Sequence, residues 1–124
     1  GCQAEIGSAS GMAAAAICSV RGGSKEQMGH ACAMALKNLM GLVCDPVAGL
    51  VEVPCVKRNV GGAVNALAAA DMALAGIASH IPVDQVIDAM GEVGMKMDVS
   101  LRETSMGGVA TSPKGLEIAE RLGM

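Results

Sequence analysis

Apolar residues recur along this chain at helical spacing, and glycine or proline breaks the pattern into separate segments. Ser8 to Val20 is alanine-rich and apolar nearly all round, as expected of a helix surrounded by other protein. Gly22-Gly23 ends it. Ser24 and Gln27 then form a capping box, a hydroxyl at the N-cap answered by an amide one turn on. This predicts a helix from Lys25 to Met40, with Met28, Cys32, Ala35, Leu36 and Leu39 as its apolar stripe.

Gly41 stops that helix. The helical pattern resumes around Asn59 and runs to Ser79, with Val60, Val64, Leu67 and Leu74 on one face. Asp71 falls within that face, where a carboxylate calls for a partner or a subunit seam. Pro82 suits the first turn of a shorter helix carrying Val86, Ile87 and Met90 and ending near Gly94. Residues 95–109 are glycine-rich and read as a loop. Ser112-Pro113 has the form of an N-cap followed by proline at the first helical position, opening a last helix closed by Gly123. No period-2 strand and no internal repeat is present. The expected fold is all-α, a compact Ala/Met-rich helical domain over residues 1–124 with a turn-rich, cysteine-bearing loop between long helices.

Composition sharpens this picture. Of the 124 residues 52% are hydrophobic, yet none is aromatic, and ten are methionine. Small side chains allow close helix approach and methionine fills irregular gaps. A net charge of -3, without a basic stripe or an aromatic to stack on a base, argues against nucleic-acid binding. The apolar runs at Met12–Cys18 and Ala66–Ala70 fall short of the roughly 20 residues of a membrane span. A soluble cytoplasmic protein is expected. The start at Gly1, without Met or a signal-type core, suggests a piece of a longer chain.

Five cysteines is an odd count, which in a reducing compartment favours metal binding or catalysis over a disulfide framework. Three of them follow the pattern C-x41-C-x10-C as Cys2, Cys44 and Cys55. Pro46 and Pro54 stand close to Cys44 and Cys55, so both thiols are expected on non-helical backbone. Spacing alone leaves ligation of an iron-sulfur cluster and simple core packing both open. Zinc usually wants four ligands with at least one close pair such as C-x2-C, and no such pair occurs. Cys18 and Cys32 fall in helical patterns and read as core thiols. His30, near charged neighbours, reads as solvated; His80 reads as a helix-end residue rather than a catalytic one.

Three stretches, GCQAEIGSAS, GLVCDPVAGLVEVPCVKRN and RETSMGGVATSP, resemble the C-terminal half of the catalytic alpha region of bacterial iron-sulfur-dependent L-serine dehydratases, nearly end to end. The resemblance implies that Cys2, Cys44 and Cys55 hold a 4Fe-4S cluster with one iron left open. It implies a lyase that deaminates L-serine to pyruvate and ammonia, the open iron acting as Lewis acid for loss of the β-hydroxyl. Glu5, Arg58 and Asn59 adjoin the matching cysteines and are the candidates for contacts to the cluster surroundings or to substrate. No general base is assignable in this chain; the resemblance places it in a smaller partner region, a separate beta subunit in two-chain members. Met106 stands where some members carry Arg, so no charge contact is carried over there. The terminus Arg121-Leu-Gly-Met124 has no thiol, whereas single-chain members often end in one, which points to the two-subunit type. The resemblance also implies a missing N-terminal half of the alpha region, an oligomer, and activity that needs the missing parts. Two other readings remain: a related cluster enzyme such as a cysteine desulfidase, and a non-catalytic helical interaction domain whose thiols are all core.

Overall fold

The computed structural model describes residues 1–124, and it is all-helical. A π-type turn at Gln3–Gly7 runs directly into α1, Ser8–Val20. α2 spans Lys25–Asn38, α3 Cys55–Leu74, α4 Val83–Lys96 and α5 Pro113–Arg121. Short 3-10 turns at Val47–Gly49, Val99–Leu101 and Gly108–Thr111 punctuate the connections. No helix is long and apolar enough to cross a membrane.

Local chemistry sets most helix ends as expected. Ser24 accepts from the Gln27 amide while the Gln27 side chain accepts from the Ser24 amide, so both halves of the capping box are present. The Ser112 hydroxyl caps α5 by accepting from Gly115 N at 3.1 Å, with Pro113 in the first turn. Gly22, at φ 87, turns the chain out of α1.

α1, α2 and α3 form the packed centre, with α4 laid against α2. α1 and α3 run parallel: Ser10 Oγ donates to Gly62 O at 2.7 Å near their starts, and Arg21 pairs with Asp71 near their ends. The Asp71 predicted to need a partner therefore has one, in an exposed ion pair. Asn65 joins all three helices, donating to Ser10 Oγ at 2.9 Å and to Ala35 O at 3.0 Å. The core is built mainly from alanine, with Ala14, Cys18, Ala31, Met34, Ala35, Ala66, Ala69, Ala70 and Ala73 in one cluster.

Several expectations are corrected by this packing. α3 begins at Cys55 and ends at Leu74, several residues earlier at each end than the Asn59–Ser79 pattern suggests. Its buried face is Gly62, Ala66, Ala69, Ala70 and Ala73, whereas Val60, Val64 and Leu67 are 62%, 60% and 51% exposed. Close approach explains the choice: a Cβ on Gly62 would meet Ile6 Cδ1 at 2.5 Å, so the smallest side chains must face the neighbouring helix. α1 likewise buries one face only, with Met12 and Val20 open. On α2 the buried residues are Ala31, Ala33, Met34, Ala35 and Leu36, with Met28, Cys32 and Leu39 at the margin. His30 is half-buried, its Nδ1 accepting from Ser79 N at 3.2 Å, and His80 lies in the α3–α4 connection at φ 66 rather than at a helix end.

Candidate functional site

The three cysteines of the C-x41-C-x10-C pattern meet at one end of the bundle, while Cys18 and Cys32 stay in the helical packing. Cys2 stands at the entry to the π-type turn, and Cys55 is the first residue of α3. The expectation of non-helical backbone thus holds for Cys44 but not for Cys55. Proline restricts the residue before it, here Val53, and Pro54 itself serves as the N-cap, leaving Cys55 free to enter the helix. Two helix N-termini, with their unpaired amides and positive dipole ends, therefore carry two of the thiols.

Cys44 is held by backbone pairing. Its N–H donates to Leu101 O at 2.9 Å and its C=O accepts from Glu103 N at 3.0 Å. This strap over residues 97–109, read from sequence as a loop, bends through left-handed conformations at Glu103 (φ 67) and Ser105 (φ 55), and Ser105 Oγ donates to Pro46 O at 2.6 Å. Non-glycine residues adopt that region at a cost, and such strain concentrates at functional sites. Gln3 anchors the other side: its side chain accepts from Gly41 N at 2.9 Å and donates to Met90 O at 2.8 Å, while its own N–H donates to Leu42 O at 3.0 Å.

A cavity of about 450 Å³ opens over this end, lined by Glu5, Cys44, Pro46, Cys55, Asn59 and Glu103 among others. Cys44 is its buried thiol, 5% exposed, with the 6% exposed Cys2 thiol against it, and Cys55 is more open. Burial pushes the Cys44 thiol up to about 12, and the adjacent Cys2 thiol, then Glu103 and Cys55, push the same way. Burial also raises Cys55, with Cys2 adding and Arg58 opposing. Thiolates gathered this closely would repel one another, so their deprotonation calls for a cation in place of the protons.

The candidate residues separate clearly. Glu5 and Asn59 are exposed and line the cavity. Arg58 does not line it. Its Nη1 donates to Asp45 Oδ1 at 2.5 Å and to Val43 O at 3.0 Å, beneath the thiols. Burial opposes its charge, but Asp45 and Cys2 outweigh that and hold the guanidinium above its ordinary value. Two residues escaped sequence reasoning. Asp45 is 2% exposed and bonded on both carboxylate oxygens, and Glu103 faces the cavity beside Cys44. A lone carboxylate inside the apolar run Leu42–Leu50 was the available signal for Asp45.

The donor set suits a cluster better than a single ion. No three His, Cys, Asp or Glu side chains close on one point as ligands of a lone metal would. Cluster thiolates each bind a different iron, so they need not close on one point: Cys44 and Cys55 border the cavity and the Cys2 thiol lies against Cys44.

Fold and site together define a helical protein with three thiols gathered beside a cavity at the N-terminal ends of two parallel helices. Residues 1–110 match the family model described as serine dehydratase alpha chain. The chain is 64% identical over 122 residues to the "Probable L-serine dehydratase, alpha chain" of Bacillus subtilis, covering 98% of this chain and 41% of that protein. It is 55% identical to the "L-serine dehydratase, alpha chain" of Peptoniphilus asaccharolyticus, covering 95% of this chain and 40% of the relative. Against "L-serine dehydratase 1" of Escherichia coli the figures are 47%, 89% and 24%. The chain belongs to the serine dehydratase alpha-chain family. It spans about two fifths of the length of the two alpha chains just named.

Proposed function

We propose that this chain is the cluster-holding part of an L-serine dehydratase that converts L-serine to pyruvate and ammonia, with Cys2, Cys44 and Cys55 as ligands of a 4Fe-4S cluster. The observation that carries the reading is the gathering of these three thiols, and not Cys18 or Cys32, at one place, Cys44 and Cys55 on the cavity and Cys2 against Cys44. When bound, the cluster supplies an iron free of protein thiolate, a Lewis acid for departure of a β-hydroxyl.

The chain's own residues bind and orient. Glu5 and Glu103 offer carboxylates at the cavity wall to the substrate's ammonium, and the Asn59 side chain offers an amide to its carboxylate. Arg58 serves the scaffold through Asp45 instead of reaching substrate. Neither histidine stands at the cavity: His30 bonds the Ser79 amide and His80 lies in the α3–α4 connection. Following the family resemblance, we place the base for the Cα proton in polypeptide outside these residues, with a beta subunit and the rest of the alpha chain as partners. The exposed stripe of Val56, Val60, Val64 and Leu67 on α3 supports such a covering partner within an oligomer.

Anaerobic loading of the chain with ferrous iron and sulfide tests the reading. Wild type is expected to gain a brown chromophore that Cys2→Ser, Cys44→Ser and Cys55→Ser each lose and Cys32→Ser keeps. Joined to the remaining polypeptides, the loaded chain should release pyruvate from L-serine; sulfide release from L-cysteine alone would indicate a desulfidase. A folded wild-type chain that takes up no iron, alone or joined, would overturn the proposal.

A further inference from the structure

We propose that Asp45 is the positioning residue of the thiol site, fixing the Cys44 segment against the start of α3 so that Cys44 and Cys55 face each other. The inference rests on the cluster reading above and adds a residue that is neither ligand nor substrate contact.

Asp45 follows Cys44 directly, and its side chain is 2% exposed with both oxygens engaged. Oδ1 accepts from Arg58 Nη1 at 2.5 Å; Oδ2 accepts from Val109 N at 2.6 Å. Arg58 lies one turn after Cys55 on α3, and the same Nη1 reaches Val43 O at 3.0 Å, on the other side of Cys44. One guanidinium therefore grips the residues on both sides of one ligand from the helix that carries another. The bond to Val109 closes the far end of the strap whose near end, Leu101 to Glu103, pairs with the Cys44 backbone. Gly108 leaves the room: a Cβ there would overlap Asp45 Oδ2.

A buried ion pair adds little net stability over an apolar replacement, because desolvation offsets most of its attraction. What it supplies is a fixed direction at each hydrogen bond. Here three segments, one carrying Val43 and Asp45, one Arg58 and one Val109, are joined through a single carboxylate and its guanidinium partner, and two of the three thiols are on them.

The test uses the whole chain, anaerobic, as wild type, Asp45→Asn and Arg58→Lys, with Asp71→Asn as a control in the exposed Arg21 pair. Phenylarsine oxide, which joins two thiols only when they stand close, is applied to the metal-free proteins well below their melting temperatures, and the bridged cysteines are identified by mass spectrometry. In parallel, iron- and sulfide-loaded samples are challenged with a chelator and examined by electron paramagnetic resonance after reduction. Asp45→Asn is expected to slow bridging at Cys44 and to shorten cluster lifetime by ~10-fold or more, with an altered resonance, as loss of supporting contacts around ligands typically does. Asp71→Asn should leave all three unchanged. Where Asp45→Asn fails to melt cooperatively, Arg58→Lys, which keeps the charge but loses the double grip, decides. Wild-type bridging and cluster lifetime in a folded Asp45→Asn or Arg58→Lys protein would overturn the assignment. If no sample loads iron yet bridging at Cys44 slows in the variants, the cluster reading fails while the positioning of the thiols by Asp45 stands.

Discussion

Cys44 and Arg102 are paired across a single parallel β-bridge, the one strand-like contact in an otherwise helical molecule. The pairing holds because Arg102 is itself tied down: its Nε donates to Met97 O at 2.6 Å and its Nη2 to Met95 O at 2.7 Å, fastening the strap to the end of α4. These are charge-assisted bonds at an exposed site, so Arg102→Ala is expected to cost about 1 kcal/mol in a urea melt. Its larger effect should be local. Alkylation of Cys44 by iodoacetamide, followed by mass spectrometry, should accelerate several-fold while Cys18 stays protected. Equal acceleration at both cysteines would mean that Arg102 acts on global stability alone.

Gly108 combines two demands, a left-handed φ of 64 and space for the Asp45 carboxylate. Gly22 has only the first, with φ 87 and open space around it. An L side chain in this region costs roughly 1–2 kcal/mol. Gly22→Ala should lose about that much, and Gly108→Ala should lose more, because the Asp45 carboxylate must also move. Denaturant midpoints for the two variants separate the contributions. Equal losses would show that the Asp45 contact yields freely.

Asp98 gives the strap an acid dependence. Its carboxylate accepts from the Ser100 amide at 2.8 Å, and hydrogen bonds from Ser100 hold its pKa below the ordinary 3.8. A folded value below the unfolded one means that the contribution is present above the unfolded pKa and lost as pH falls through the folded one. The Val99–Leu101 turn should therefore keep its cap at neutral pH and lose it only in acid below pH 3.8. The Ser100 amide resonance should titrate in that range in wild type and stay flat in Asp98→Asn. A midpoint above 3.8 would contradict the capping role.

Helix ends were legible in the sequence because their causes are local. Ser24 with Gln27, Ser112 with Pro113, and Gly22 each act within one turn of the chain, and each does in the structure what its spacing predicts. The three ligand candidates were legible through resemblance, and the structure brings them together, Cys44 and Cys55 on the cavity and Cys2 against Cys44. Asp45 was not legible, since its role depends on Arg58 and Val109, which are close only after folding. For Arg58 the sequence left contacts to the cluster surroundings and to substrate both open, because proximity to Cys55 says nothing about which way the guanidinium turns; in the fold it turns to Asp45 and Val43.

The packing of α3 shows the same limit and carries the last prediction. Periodicity reports which residues share a face, but α3 has two apolar faces, one of valine and leucine and one of alanine and glycine. Hydrophobicity alone favours the larger side chains for the core. Geometry decides otherwise, because α1 and α2 approach α3 too closely for them, and Ala69 and Ala70 are fully buried while Val64 is 60% exposed. Ala70→Leu should therefore overpack the core and cost about 1–3 kcal/mol. Val64→Ser, chemically the harsher change, should stay within about 0.5 kcal/mol in the isolated chain. Thermal melts of the two variants decide between the faces. A destabilised Val64→Ser beside a neutral Ala70→Leu would mean that α3 packs through its valine face, and the parallel arrangement that brings Cys2 to Cys55 would have to be redrawn.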